Sequence, residues 1–190
     1  MDGALELLAA VSGLLCVWLT VRQNIWCWPI GLIQIIVYLY IFWTVKLYSD
    51  VLLQVVFLVL QFHGWHNWLH GGKDRKELDI SLLSSRGRAL WATAALVGTA
   101  LLGAAMHRWT DATLPYWDAG ATALSLIAQW LMNRKKLESW WLWITVDILS
   151  VGIYLAKNLY WTAGLYTVSL VMATLGLLEW RKTLSEPELA

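Results

Sequence analysis

Charge is scarce in this chain. Of 190 residues only 13 are acidic and 14 basic, where ordinary soluble domains carry roughly a quarter charged residues, so a freely soluble globular protein is not expected. Cysteine is nearly absent: Cys16 and Cys27 lie in or beside apolar stretches without metal-ligand spacing, and they imply no disulfide framework. There is no phosphate-cradling glycine loop, no H-E-x-x-H helix and no G-x-S-x-G elbow. An ATP motor carried on the same chain, a zinc protease and a serine hydrolase are therefore set aside. A basic, aromatic nucleic-acid surface is missing as well. The opening "MDGALELL" carries Asp2 and Glu6 but no basic stretch, so it is not expected to be a cleaved signal peptide.

What the chain has in quantity is apolar side chains, 59% by a wide count, and 15 tryptophans. Seven apolar segments follow one another, at about 4–21, 25–44, 47–69, 88–106, 118–133, 139–157 and 159–180. A bilayer core about 30 Å thick needs ~20 such residues per helix, which predicts an all-α membrane protein with seven transmembrane helices. The one long polar connection, "HGGKDRKELDISLLSSRGR", is too short for a second domain. Trp26, Trp28, Trp43, Trp109 and Trp161 stand near segment ends, where an amphipathic ring suits the headgroup layer. Basic residues are lopsided. Arg22, Lys73, Arg75, Lys76, Arg86, Arg88, Arg134, Lys135, Lys136, Arg181 and Lys182 fall on one side, against only Lys46, Arg108 and Lys157 on the other. That bias predicts an outer N-terminus and a cytoplasmic C-terminus.

Shifted by 112 residues, the chain matches itself. Trp18 meets Trp130, Arg22 meets Arg134 and Trp28 meets Trp140; Leu47 and Tyr48 meet Leu159 and Tyr160; Gly64 meets Gly176 and Trp68 meets Trp180. Tryptophan coincidences are rare, so a duplicated three-helix unit is expected, about 4–69 and about 118–180, with the segment at about 88–106 as connector. An offset of four helices gives both copies one orientation. A 3+1+3 parallel repeat is a transporter-like arrangement, in which substrate binds near the midplane.

Polar groups within the spans are the candidate site. In "SWWLWITVD" an aspartate, Asp147, falls near the middle of its segment, where a carboxylate costs ~2.5–3.5 kcal/mol by insertion scales and is functional by default. Trp140, Trp143 and Asp147 stand at i, i+3 and i+7, on one side of a helix, and Ser150 and Tyr154 continue that side. Indole faces attract cations and stack on rings, while a carboxylate neutralises charge or accepts N–H groups. The pattern suits a flat, cationic or hydrogen-bonding ring; the plain alternative is internal pairing of Asp147 with packing tryptophans. Gln34, Gln54, Gln61, Ser125 and Gln129 lie at similar depth, either as helix glue or as substrate contacts. His63, His66 and His70 share a segment end, but no acidic or cysteine ligand completes a set, and no metal or cofactor is expected. Pro29 in "WPIG" either distorts its helix or opens it.

Taken together, "NIWCWPIG", "LYSDVLLQ" with "GWHNW", "WDAGATALSLIAQWLMNRKKLESWWLW" and "LYWTAGLY" with "LEW" resemble the PnuC family of bacterial vitamin transporters, over roughly residues 8 to 182. That family is distantly similar to the SWEET sugar-transporter architecture. The resemblance implies seven core helices in the inner membrane and uptake of unphosphorylated vitamin by facilitated diffusion with alternating access, trapped by a cytosolic vitamin kinase. It leaves room for a homo-oligomer. The family's W-x-x-W-x-x-x-N signature falls on Trp140, Trp143 and Asp147, with aspartate where nicotinamide riboside transporters commonly carry asparagine. Nicotinamide riboside is the expected substrate and thiamine the alternative, with riboflavin carried by related members. Trp140 and Trp143 would flank the ring, Asp147 would hold its charge or amide, and Gln129 and Gln34 would meet the sugar or another polar edge. A scaffold or sensor that binds vitamin without moving it, and proton coupling through Asp147, are the other classes.

Overall fold

The computed structural model describes residues 3–44, 46, 48–110 and 113–185; Asp2 and Leu47, named above, lie outside the described residues. Seven helices account for most of the chain: α1 (Gly3–Val21), α2 (Cys27–Thr44), α3 (Tyr48–His70), α4 (Ser85–Trp109), α5 (Pro115–Asn133), α6 (Glu138–Ala156) and α7 (Tyr160–Ser185). Each overlaps one of the seven apolar segments, with ends shifted by a few residues. Helix is the form a chain takes where lipid offers its backbone no partner, because every N–H and C=O is then satisfied within the segment.

Local chemistry sets the ends. Pro115 opens α5 and Pro29 falls in the first turn of α2, where a missing N–H breaks no intrahelical bond. Pro29 therefore opens its helix rather than distorting it. The Ser84 side chain caps α4 by accepting from the Gly87 N–H (3.1 Å). The tight turns use residues with left-handed backbone: Gln23 (φ 54°), Lys46 (φ 60°), Lys135 (φ 45°) and Asn158 (φ 57°). None is glycine, so each carries a small strain.

Five helices, α1, α2, α4, α6 and α7, are long and apolar enough to cross a membrane. The other two, α3 and α5, have 23 and 19 residues but are diluted by Gln54, Gln61, His63, His66 and Asn67, and by Asp118, Ser125, Gln129 and Asn133. Some of this polarity faces inward, since Gln61 and Asn133 are buried. Apolar side chains face outward instead: Leu90, Leu96, Val97 and Leu101 of α4 are all exposed, as expected where the surrounding solvent is lipid.

The chain forms two compact units: Met1–Asp79 with Asn133–Lys135, and Ile80–Met132 with Lys136–Ala190. In the first, α1 packs on α2 and α2 on α3. Ala9, Val37 and Ile41 form an apolar cluster ringed by Leu5, Tyr38 and Phe42. Trp28 lies edge-on to Trp68 (5.2 Å between centroids, 83°), and its ring occupies the space a Cβ on Gly64 would need. The Gln61 amide donates to the Trp28 carbonyl at 3.0 Å and fills the notch at Gly31.

In the second unit α6 packs on α7. Here Trp140 lies edge-on to Trp180 (5.4 Å, 90°), over Gly176, where a Cβ would come within 2.5 Å of the indole. The α4–α5 contact is made by small residues, with Gly98 against Ala123 and Gly120 against Thr99. Such residues let helices approach where no hydrophobic effect drives them together. The turn geometry repeats at the 112-residue spacing. Gln23 and Lys135 share a left-handed conformation, as do Lys46 and Asn158. The bond from Asn24 N–H to the Leu19 carbonyl recurs from Lys136 to Leu131, and that from Trp28 to Ile25 recurs from Trp140 to Leu137.

A glycine-to-alanine series tests these two wedges. Gly64→Ala and Gly176→Ala should each lower the melting temperature in detergent, by overpacking of about 1–3 kcal/mol. Gly152 and Gly164 have nothing within 4 Å of a built Cβ, so Gly152→Ala and Gly164→Ala should be neutral or should stabilise by up to about 1 kcal/mol. Thermal unfolding followed by intrinsic fluorescence separates the two pairs.

Candidate functional site

The candidate site is built on α6. A helix repeating every 3.6 residues gathers Ser139, Trp140, Val146, Asp147, Ser150 and Ile153 on one buried side. At 1.5 Å per residue, Trp140 and Tyr154 are about 21 Å apart along the axis, while Trp143, Asp147 and Ser150 fall within about 10 Å. The second group is the one a single small ring with a sugar can span.

Asp147 is only 5% exposed, and no hydrogen bond or ion pair reaches its carboxylate among the described residues. Ion pairs of this unit, such as Arg88 with Glu138 (3.0 Å) and Lys157 with Asp118 (3.2 Å), lie near helix ends. The internal pairing offered above as the plain alternative is thus not made there. A buried carboxylate left without a partner costs stability, so Asp147 is the leading candidate on this side of α6.

Trp143 is half-buried. Trp140 is different: it is 1% exposed, wedged between Gly176 and Trp180, and its Nε1–H is buried with no acceptor among the described residues. Ser150 is buried beside Asp147 on the same side. Tyr154 stacks on Tyr166 of α7 (5.2 Å, 23°), which fixes its ring at the far end of this side. Gln129 is half-buried on α5. Gln34 belongs to the first unit, where its amide lies over Gly13 of α1. The three histidines gather no metal set among the described residues; His66 and His70 pack ring to ring at 4.8 Å.

Sequence reasoning missed the turn that precedes α6. Asn133, fully buried, donates from Nδ2 to the Leu60 carbonyl (2.8 Å), and Asn67 of α3 donates to the Asn133 carbonyl (2.8 Å). Lys135, 6% exposed, places its ammonium 4.6 Å from the Trp68 ring centroid, a cation–π contact. Burial holds its pKa below the ordinary lysine value, while the nearby Glu77 and Asp79 carboxylates pull it back up. One residue further, Lys136 donates to Ser81 Oγ (2.8 Å). The Glu138 carboxylate accepts from the Leu83 N–H and from Arg88 (both 3.0 Å). Within the second unit the start of the candidate-site helix is therefore held through Lys136 and Glu138. The only signal for it in the sequence was the charge run "NRKK", which serves equally as an orientation marker.

Comparison with known proteins gives the arrangement its setting. Residues 3–182 match the family described as "Nicotinamide mononucleotide transporter". The chain is 26% identical over 201 residues to the nicotinamide riboside transporter PnuC of Escherichia coli strain K12, covering 93% of this chain and 84% of that one. It is 33% identical over 159 residues to the protein of the same name from Neisseria mucosa, covering 80% of this chain and 60% of that one. The solved structure described as "Crystal structure of the Vitamin B3 transporter PnuC" superposes with a TM-score of 0.75 at 29% identity, covering 95% of this chain and 82% of the other.

An unpartnered buried carboxylate should weaken the fold that holds it. Asp147→Asn, which keeps the shape and removes the charge, should raise the melting temperature of the ligand-free protein, by about 1–2 kcal/mol of stability. Differential scanning fluorimetry in detergent checks the sign.

Proposed function

The chain belongs to the nicotinamide mononucleotide transporter family, and we propose that it carries nicotinamide riboside into the bacterial cytoplasm, with Asp147 as the residue that engages the vitamin. A member of a transporter family with several apolar helices, the protein is a multi-pass membrane protein and not an enzyme. The observation that carries the proposal is Asp147 itself, buried, without a partner among the described residues, and one turn from the half-buried Trp143. Relatives named as nicotinamide riboside transporters support the choice of substrate. In this reading the pyridinium ring lies against the Trp143 indole, a cation–π and stacking contact of about 0.5–2 kcal/mol. The Asp147 carboxylate balances the ring charge or accepts from the carboxamide N–H or a ribose hydroxyl. Ser150 and Gln129 serve the polar edge of the sugar. Trp140 backs this surface, with its orphaned Nε1–H as a further donor.

The same reading takes the chain as a 3+1+3 parallel repeat of the SWEET-like kind, α1–α3 and α5–α7 joined by α4, with all seven helices in the inner membrane. The 112-residue spacing shared by the tryptophan wedges and turns supports it. The excess of basic residues supports an outer N-terminus and a cytoplasmic C-terminus. Transport proceeds by alternating access and facilitated diffusion, and a cytosolic kinase retains the product.

A second reading, thiamine, rests on Asp147 standing in place of the asparagine expected at the end of the W-x-x-W-x-x-x-N signature. A carboxylate accepts well from an aminopyrimidine and balances a thiazolium. Proteoliposomes decide between them. Wild-type protein should take up nicotinamide riboside down its gradient, indifferent to an imposed pH difference, and Asp147→Ala should lose at least tenfold in uptake. If Asp147→Ala transports like wild type, the assignment of Asp147 fails. Uptake of thiamine but not of nicotinamide riboside selects the second reading, binding without uptake points to a sensor, and dependence on the pH gradient points to proton coupling.

A further inference from the structure

The two units solve one packing problem in opposite ways. In the first, Trp28 sits over Gly64. Three residues on along α2 is Gly31, and three residues back along α3 is Gln61; the Gln61 amide fills the space a Cβ on Gly31 would need, with Cys16 Sγ 3.0 Å from that position. Small residue on α2, large residue on α3.

In the second unit Trp140 sits over Gly176, and Tyr154 stacks on Tyr166. These contacts fix the antiparallel register of α6 and α7. Three residues on along α6 is Trp143, and three residues back along α7 is Ala173. At the 112-residue spacing Gly31 corresponds to Trp143, Gln61 to Ala173 and Cys16 to Ala128. Ala173 is 2% and Ala128 0% exposed, so neither faces open space. At these positions the bulk has moved from the flanking helices to the middle one: glycine, glutamine and cysteine in the first unit are tryptophan, alanine and alanine in the second.

We propose that Ala173 is a positioning and specificity-determining residue, whose small side chain leaves the room, taken by Gln61 in the first unit, in which the Trp143 indole is seated. The seat holds one part of the ring and leaves the rest for the substrate, in keeping with Trp143 being half-buried. Seated in this way, the indole stays at a fixed distance from Asp147, one turn further along α6. The size of residue 173 then sets how deep Trp143 lies and which flat ring fits beside it. The binding part of this inference rests on the reading that Trp143 contacts the vitamin ring; the seat itself does not.

The test is a double-mutant cycle on the full chain in detergent, with melting temperature and nicotinamide riboside affinity by calorimetry as the two readouts. Ala173→Leu should lower the melting temperature of the wild-type chain but lower it much less in a Trp143→Ala background, where the space has been emptied. Equal losses in both backgrounds overturn the seat. In binding, Ala173→Leu should weaken affinity at least tenfold. Ala163→Leu, an equally buried position in the first turn of α7, should stay within twofold of wild type. Affinity within twofold for Ala173→Leu overturns the specificity role. Ala173→Val, a smaller change, supplies both readouts if the leucine variant does not fold. Should Trp143→Ala bind like wild type, the vitamin-contact reading fails while the stability cycle still decides the seat.

Discussion

A tryptophan ring packed into the space left by a glycine, and closed edge-on by a second tryptophan, is the contact on which each unit depends. In lipid, apolar surface gains little by leaving its surroundings, so helices associate through shape and polar contacts rather than through the hydrophobic effect. Trp28 over Gly64 with Trp68, and Trp140 over Gly176 with Trp180, supply that shape. Both wedges sit where a span meets its turn, so they fix the helix pair and the turn geometry together. Both leave an indole Nε1–H buried without a partner among the described residues, a cost the ring packing must exceed.

Against that shared frame, the differences carry the chemistry. Positions 112 residues apart agree in wedge and turn but part company along the middle helix: Ile35 against Asp147, Gly31 against Trp143, Tyr38 against Ser150. In α2 these positions hold a glycine, an isoleucine and a tyrosine, and Tyr38 flanks the apolar cluster of Ala9, Val37 and Ile41. In α6 they carry a carboxylate and a hydroxyl. Asn133 and Lys135 are held within the first unit and Glu138 within the second, on either side of the turn from which α6 starts.

The helices were legible because lipid imposes a length and a composition on each span; their ends were not, since Pro29 read equally as a distortion or a start and α5 opens at Pro115, ahead of the segment read from 118. Trp28, Gly64 and Trp68 were legible as a set because each had a partner at one spacing. Asp147 was legible because a carboxylate among apolar neighbours has no structural excuse. Lys135 was not: in "NRKK" three cations look alike, and only the fold turns one of them inward over Trp68. The difference between Trp140 and Trp143 was also hidden, since both lie on the same side of α6 and only α7 decides which is wedged and which stays half-buried. Finally α3 and α5 read as spans like the rest, although their polar content sets them apart from the five most apolar helices.

The central claim is that the recognition surface is the Trp143–Asp147 side of α6. An experimental structure of the wild-type protein with nicotinamide riboside bound tests it most directly. The account predicts the pyridine ring stacked on the Trp143 indole at van der Waals distance, with an Asp147 carboxylate oxygen within about 3.2 Å of a carboxamide or ribose donor. A bound vitamin whose polar atoms contact neither Asp147 nor its neighbours on α6 would contradict it.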